Sequence, residues 1–206
     1  MKENTAKAKV ISINPVEELV VSKATEADLS GILKVASSVG NGENSSRQGF
    51  LMDNYSKNID KYREKFRKDI QNSNMFYVIK KRDLVLGFLL AYNKEQWLSI
   101  EPNWIFDTNW KDNFDKKTLK KFVILEKIAV RSHLTGKGVG SQLFKHFKRD
   151  ALKNGIKDMF SETILAPKPN FASMEFAMKQ NYNLGGIRYE EHNNKILTTI
   201  VYHKGF

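Results

Sequence analysis

Two rhythms of apolar and polar positions alternate along this chain, and the switches between them mark its elements. Residues 19–39 open with a short β-type run, LVV, and continue with Ile32, Leu33, Val35 and Ala36 at helical spacing. Thr25 precedes that helix with Asp28 at the spacing of a capping box. Residues 40–49, GNGENSSRQG, read as a loop. Over 54–70, Tyr55, Ile59, Tyr62, Phe66 and Ile70 predict a second helix. Two strand runs within 75–93 flank a charged turn at 81–83, the pattern of a β-hairpin. Residues 94–120 are rich in Trp, Asn and Asp with weak periodicity, and read as an insertion that folds over something. A strand over 122–130 follows. A helix over 138–154 turns Val139, Leu143, Phe144, Phe147 and Ala151 inward. A strand at 158–165, a helix at 170–180 and strands at 184–189 and 196–202 close the chain. The order β-α-α-β-β-β-α-β-α-β-β predicts a mixed sheet with helices on its faces. Residues 1–17 read as a tail or peripheral strand, which leaves 18–206 as one domain.

Composition narrows the function classes. Of 206 residues 41% are hydrophobic, with 13 Phe, 7 Tyr and 3 Trp, so a packed core is expected rather than disorder. No apolar run approaches the length of a membrane span. The N-terminus carries no export signal, which makes the cytoplasm the expected compartment. Absence of cysteine excludes disulfides and thiolate catalysis. The net charge is +11, yet the lysines are scattered from Lys7 to Lys204. That distribution suits a solvated surface with a local basic mouth for an anion more than a nucleic-acid interface. None of the four histidines has metal-ligand spacing, so surface roles and no metal site are expected.

One corner concentrates backbone freedom. In LEKIAVRSHLTGKGVGSQLF, the glycines at 136, 138 and 140 separate a predicted strand from a predicted helix. Glycines before a helix N-terminus let unpaired N–H groups close around an anion. A Walker loop requires Lys-Ser or Lys-Thr after its last glycine, and Lys137 is followed by Gly138. A dinucleotide fingerprint requires a third glycine where this chain has Leu143 or Ser141. Neither motif fits, and a plain packing corner is the competing reading.

The corner resembles the pyrophosphate loop of the GCN5-related N-acetyltransferases (GNAT), whose pattern is Arg/Gln-x-x-Gly-x-Gly/Ala after a strand ending in Val. Gly138 and Gly140 match the small positions, and Thr135 stands where Arg or Gln is usual. Downstream, KPNFASMEFAMKQNYNLGG resembles the family's second cofactor segment. Asn170, Ser173 and Phe176 match it, with Asn181-Tyr182 in place of Gly-Phe. SKATEADLSGIL and MFYVIKKRDLVLGFLLAYN resemble the family's opening strand and helix and its second and third strands.

The resemblance implies a GNAT fold of α+β class. Its central sheet is mixed, mostly antiparallel and twisted, of about six to seven strands flanked by about four helices. It implies transfer of an acetyl group from acetyl-CoA to an amine by direct attack in a ternary complex. The backbone N–H groups of Thr135, Gly136, Lys137, Gly138, Val139, Gly140 and Ser141 would hold the phosphates. The backbone of Ile128, Ala129 and Val130 would hold the pantetheine arm and thioester, with Asn170, Ser173 and Phe176 completing the cofactor site. Glu126, an acid in the apolar run ILEKIAV, reads either as a base with a burial-raised pKa or as a partly solvated Glu paired with a lysine. The tyrosine that often protonates the CoA thiolate would fall at Ala177. Tyr182, Tyr189 or water are the substitutes, with Tyr182 carried as the candidate.

The acceptor is expected against residues 45–53 and the insertion with Trp97, Trp104, Phe106 and Trp110. Glu95, Glu101, Asp107, Asp112 and Asp115 would draw a cationic amine there. The alternative is that these aromatics cover the sheet edge or make a homodimer contact. Three function classes stay open: an active N-acetyltransferase on a small-molecule amine or protein amino group, an acyl-CoA binder without catalysis, and a basic nucleic-acid-binding module.

Overall fold

The chain winds an eight-stranded sheet whose apolar runs are long because helices cover both of its faces. It is described by a computed structural model over residues 19–40, 46–47, 49–192 and 194–206. The expected tail at 1–17 and much of the 40–49 loop lie outside the described residues. The strands are β1 (Val20–Lys23), β2 (Met75–Lys81), β3 (Leu84–Asn93), β4 (Thr108–Trp110), β5 (Phe122–Val130), β6 (Asp158–Ala166), β7 (Asn183–His192) and β8 (Lys195–Gly205). Their order across the sheet is β1-β2-β3-β5-β6-β8-β7-β4. All neighbours run antiparallel except β5 and β6.

The helices are α1 (Leu29–Val39), α2 (Ile59–Asn72), α3 (Lys94–Ile100), α4 (Trp104–Asp107), α5 (Val139–Lys153) and α6 (Phe171–Lys179). On one sheet face Phe76, Val78, Phe88 and Ile124 pack with Ile32, Val35 and Phe66 of α1 and α2. On the other face Tyr77, Ile79, Leu89, Val123 and Leu125 pack with Leu143, Phe144 and Phe147 of α5. Helix α5 is the crossover that lets β5 and β6 run parallel. Among the described residues no helix is long and apolar enough to cross a membrane.

Two expectations change. Helix α2 begins at Ile59, because the Asn58 side chain accepts a hydrogen bond from the Lys61 N–H at 3.3 Å and caps it there. Tyr55 lies before the helix, yet its ring packs 5.5 Å from Phe66 and 4.4 Å from Tyr62. Helical spacing was met there by a turn that folds back, not by a helix. The insertion is ordered by its aromatics. Trp104 is fully buried, with ring centroids 5.5 Å from Phe122 and 5.4 Å from Phe160. Trp97 is buried as well. Trp104 thus covers the central strands β5 and β6 rather than the sheet edge. Strand β4 then adds itself to β7, which takes the sheet past the expected six or seven strands.

Candidate active site

Two local departures from a regular sheet meet in β5. The first is a β-bulge. Leu90 pairs with Lys127 and Ala91 with Leu125, so Glu126 is the extra residue on β5. Regular alternation would send Glu126 and Lys127 to opposite faces. Ile124 and Ala129 both belong to the α1 side, whereas Leu125 and Ile128 face α5. Glu126 and Lys127 therefore fall consecutively on the α1 side, where they form an ion pair. The second departure is a fork. The β5–β6 ladder ends at Leu125↔Ser161, although β5 continues beside β3 to Val130 and β6 continues beside β8 to Ala166. Beyond that rung the edge of β5 at Ile128, Ala129 and Val130 presents alternate N–H and C=O groups to the opening.

The glycine corner sits at the end of β5. Leu134 anchors it as a buried side chain, and the Arg131 N–H donates to the Leu86 carbonyl at 2.8 Å. Gly136 and Gly138 take φ of 78° and 82°, a left-handed backbone that a side chain would strain. Gly138 is the N-cap of the 15-residue α5, and it has no side chain to occupy the first-turn N–H groups. Those of Val139, Gly140 and Ser141 thus face outward at the positive end of the helix. The wider set expected from the motif is trimmed. The Thr135 N–H donates to Ser132 at 3.2 Å and the Lys137 N–H to Leu134 at 3.2 Å, both inside the turn.

Beside this cradle runs a groove of about 340 Å³ between α5, α6 and β8, lined by Lys145, Lys148, Lys179 and Lys204 together with Ser141 and Phe144. Burial, then the like charge of Lys148, pulls the Lys204 ammonium below its ordinary pKa. Four lysines scattered along the sequence are thus gathered beside one groove.

The charges at the fork are the unusual feature. Burial works to raise the Glu126 carboxyl, but Lys127 beside it holds it below the ordinary glutamate range. The expectation of a burial-raised Glu126 is therefore corrected, and the lysine-paired reading stands. Sequence reasoning missed Glu162. It follows the last residue of β6 that pairs with β5, and burial pushes its carboxyl up to about 7 against the pull of Arg188. Arg188 is 6% exposed and also binds Glu101 at 2.6 Å and Glu190 at 3.2 Å. A weak signal was present: in FSETIL an acid stands inside a predicted strand, as Glu126 does in ILEKIAV.

Residues 45–182 match the model of the acetyltransferase (GNAT) family. The chain belongs to the GNAT acetyltransferase family. No curated protein sequence matches. The fold agrees with solved structures at low identity. An N-acetyltransferase from Staphylococcus aureus Mu50 is 16% identical, with 91% of this chain and 98% of that one covered and a TM-score of 0.58. The PaiA N-acetyltransferase of Thermoplasma acidophilum, solved with coenzyme A, is 13% identical over 92% and 99% of the two chains, TM-score 0.61. A Drosophila melanogaster polyamine N-acetyltransferase that forms N-acetylagmatine is 8% identical over 92% and 100%, TM-score 0.60.

Within this GNAT fold the remaining candidates fall as follows. Asn170 caps α6, accepting from the Ser173 N–H at 3.3 Å and donating to the Phe50 carbonyl at 2.9 Å. It ties the 49–50 segment to the start of α6. Phe176 packs on the α5 side, and a Cβ on Gly140 would lie 3.8 Å from its ring. Tyr182 is corrected as a catalytic candidate. Its ring packs against Phe144 and Tyr202, and its hydroxyl donates to Met159 Sδ at 3.5 Å. That core is on the sheet face opposite Glu126. Tyr189 is 61% exposed, and Ala177 is buried. Glu101 serves Arg188 rather than an open mouth, and Phe106 stays 86% exposed. His203 is not a bare surface group, since its Nε2 lies 2.9 Å from Asp158 Oδ1.

Proposed function

We propose that this protein is an acetyl-CoA-dependent N-acetyltransferase that acts in the cytoplasm on a primary amine, either a small molecule or a protein amino group. The observation that carries this reading is the juxtaposition of the open β5 edge beyond Leu125 with the unpaired N–H groups at the start of α5. The two lie side by side, since a Cβ on Gly140 would be 3.7 Å from Ile128 Cδ1, and together they offer donors for a diphosphate and a strand edge for an amide-bearing arm. Acetyl-CoA, when bound, supplies the activated acyl group.

The chain's own residues then have distinct tasks. Val139, Gly140 and Ser141 donate backbone hydrogen bonds to the diphosphate, and Lys137, Lys145, Lys148, Lys179 and Lys204 supply positive charge. Ile128, Ala129 and Val130 pair through their backbone with the pantetheine amides and orient the thioester at the fork. The Glu126 carboxylate, kept ionised by Lys127, faces the acceptor side and attracts an ammonium group. The amine must shed a proton before it attacks, because an alkyl ammonium has a pKa near 10. Acceptors reach Glu126 between the 49–53 segment and α2, where Asp53 and Tyr55 stand close to the ion pair.

A second reading, binding of acyl-CoA without turnover, is favoured by the buried Ala177 at the position where the resemblance puts a tyrosine. A thermal-shift titration with acetyl-CoA followed by a thiol-release assay over a panel of primary amines tests both. Stabilisation with thiol release supports the enzyme, and stabilisation without release supports the binder. Absence of stabilisation refutes both.

A further inference from the structure

Glu126 and Glu162 are adjacent across the fork. Leu125 and Ser161 form the last rung between β5 and β6, so the next residue on each strand is a glutamate. Both face the α1 side. Glu162 pairs in the ladder with Val201, a member of that core, and Glu126 lies among the charges of Asp53, Lys65 and Lys127. The two carboxyls differ in their company. Glu126 holds a lysine ion pair. Glu162 Oε1 is buried without a hydrogen-bond partner, and Oε2 stands 3.6 Å from Arg188.

The groups around Glu162 come from every neighbouring element. Strand β5 contributes Glu126, β7 contributes Arg188 and Glu190, and α4 contributes the Trp104 indole. Strand β8 faces it with the uncharged Val201. Arg188 is shared among Glu162, Glu190 and Glu101, so its single charge is divided over three carboxyls. Glu162 therefore lacks a counter-ion of its own, while 17% of its side chain still meets solvent.

We infer that Glu162 is the proton acceptor for the incoming amine and that Glu126 is the anion that attracts it. The inference rests on the acetyltransferase reading above. The step is simple. One N–H bond of the ammonium breaks, its electron pair stays on nitrogen, and the proton adds to the Glu162 carboxylate, directly or through one water. The proton then leaves to solvent. Two carboxyls with opposite surroundings suit this division: a permanently ionised group binds a cation, and a group that titrates near the working pH moves a proton.

The test compares wild type, Glu162→Gln and Glu162→Asp. Acetyl-CoA binding is read by thermal shift, and kcat/KM is read from pH 6 to 10 by thiol release with an amine that wild type accepts. Glu162→Gln is expected to bind acetyl-CoA as wild type does and to lose about 100-fold or more in kcat/KM at pH 7. Its profile should lose the limb near pH 7 and follow the amine's own pKa near 10. Glu162→Asp should keep the limb. A folded Glu162→Gln with an unchanged profile overturns the inference and leaves the acetyltransferase reading intact. Wild type that binds no acetyl-CoA or releases no thiol overturns both. Should Glu162→Gln fail to fold, carboxyl carbon-13 NMR of wild type and Glu162→Asp decides. A carboxyl that titrates between pH 6 and 8 and shifts in Glu162→Asp supports the inference, and its absence overturns it.

Discussion

Lys127→Met should unbalance the charges at the fork. The substitution keeps the apolar stem and removes the ammonium, so Glu126 is left half-buried without its counter-ion. Their side chains are 12% and 25% exposed, which puts the pair among buried ones. Breaking such a pair typically costs about 3–5 kcal/mol, and the residual exposure places this case near ~3 kcal/mol. For a chain of this size that is a fall of about 6–12 °C in Tm. In wild type the Glu126 carboxyl is depressed, so its stabilisation is present above the unfolded glutamate value of about 4.3 and is lost as pH falls through the folded value. In the variant burial acts unopposed and raises that carboxyl, so the folded state is penalised at every pH above the raised value. The gap between the proteins should be full at pH 7 and close as pH falls toward 4. Urea denaturation at pH 7, 5.5 and 4 measures it. Adding Glu126→Gln to the variant removes the orphaned charge and should restore stability to within about 1 kcal/mol of wild type. A gap that ignores pH, or a double variant no more stable than Lys127→Met, would refute the pairing argument.

Gly138→Asp should abolish acetyl-CoA stabilisation in a thermal shift while circular dichroism stays native. A Cβ there meets nothing within 4 Å, so the fold bears only the left-handed strain of about 1–2 kcal/mol, but a carboxylate enters the anion cradle. Trp104→Ala should cost about 3–5 kcal/mol in urea denaturation, because a fully buried ring leaves a void against Phe122 and Phe160. Asn170→Ala removes both a helix cap and the bond to the Phe50 carbonyl, so a loss of about 2–3 kcal/mol is expected, with faster amide exchange at the start of α6.

The strands and helices that frame the fork were legible in the chain itself. Strand β5 at 122–130 and helix α5 at 139–153 announce themselves by local means: an unbroken apolar run, then glycines, then helical spacing. The left-handed φ at Gly136 and Gly138 is also a local property, which is why the glycine turn before α5 could be placed from sequence. Local periodicity failed where a neighbour decides. Tyr55 matched a helix's spacing but belongs to the turn that Asn58 ends. The tryptophans of the insertion became core because the sheet face beneath them needed cover, a demand no window of sequence contains.

The chemistry of the fork belongs to tertiary structure almost entirely. From the sequence, Glu126 and Lys127 are adjacent residues that alternation sends to opposite faces. Only the cross-strand register with β3 inserts the bulge that turns both to one side. Likewise Glu162 lies far along the chain from Glu126 and from Arg188; it meets Glu126 because β5 and β6 share a last rung, and Arg188 because β8 joins β6 to β7. A carboxyl's proton affinity is set by burial and by charges a few ångströms away in space, not by its neighbours in sequence. The chain's order of apolar and polar residues was therefore enough to draw most of the sheet and the glycine turn beside it. Which acid holds a lysine of its own, and which one shares its counter-ion, was decided by the packing of strands that meet only in the folded protein.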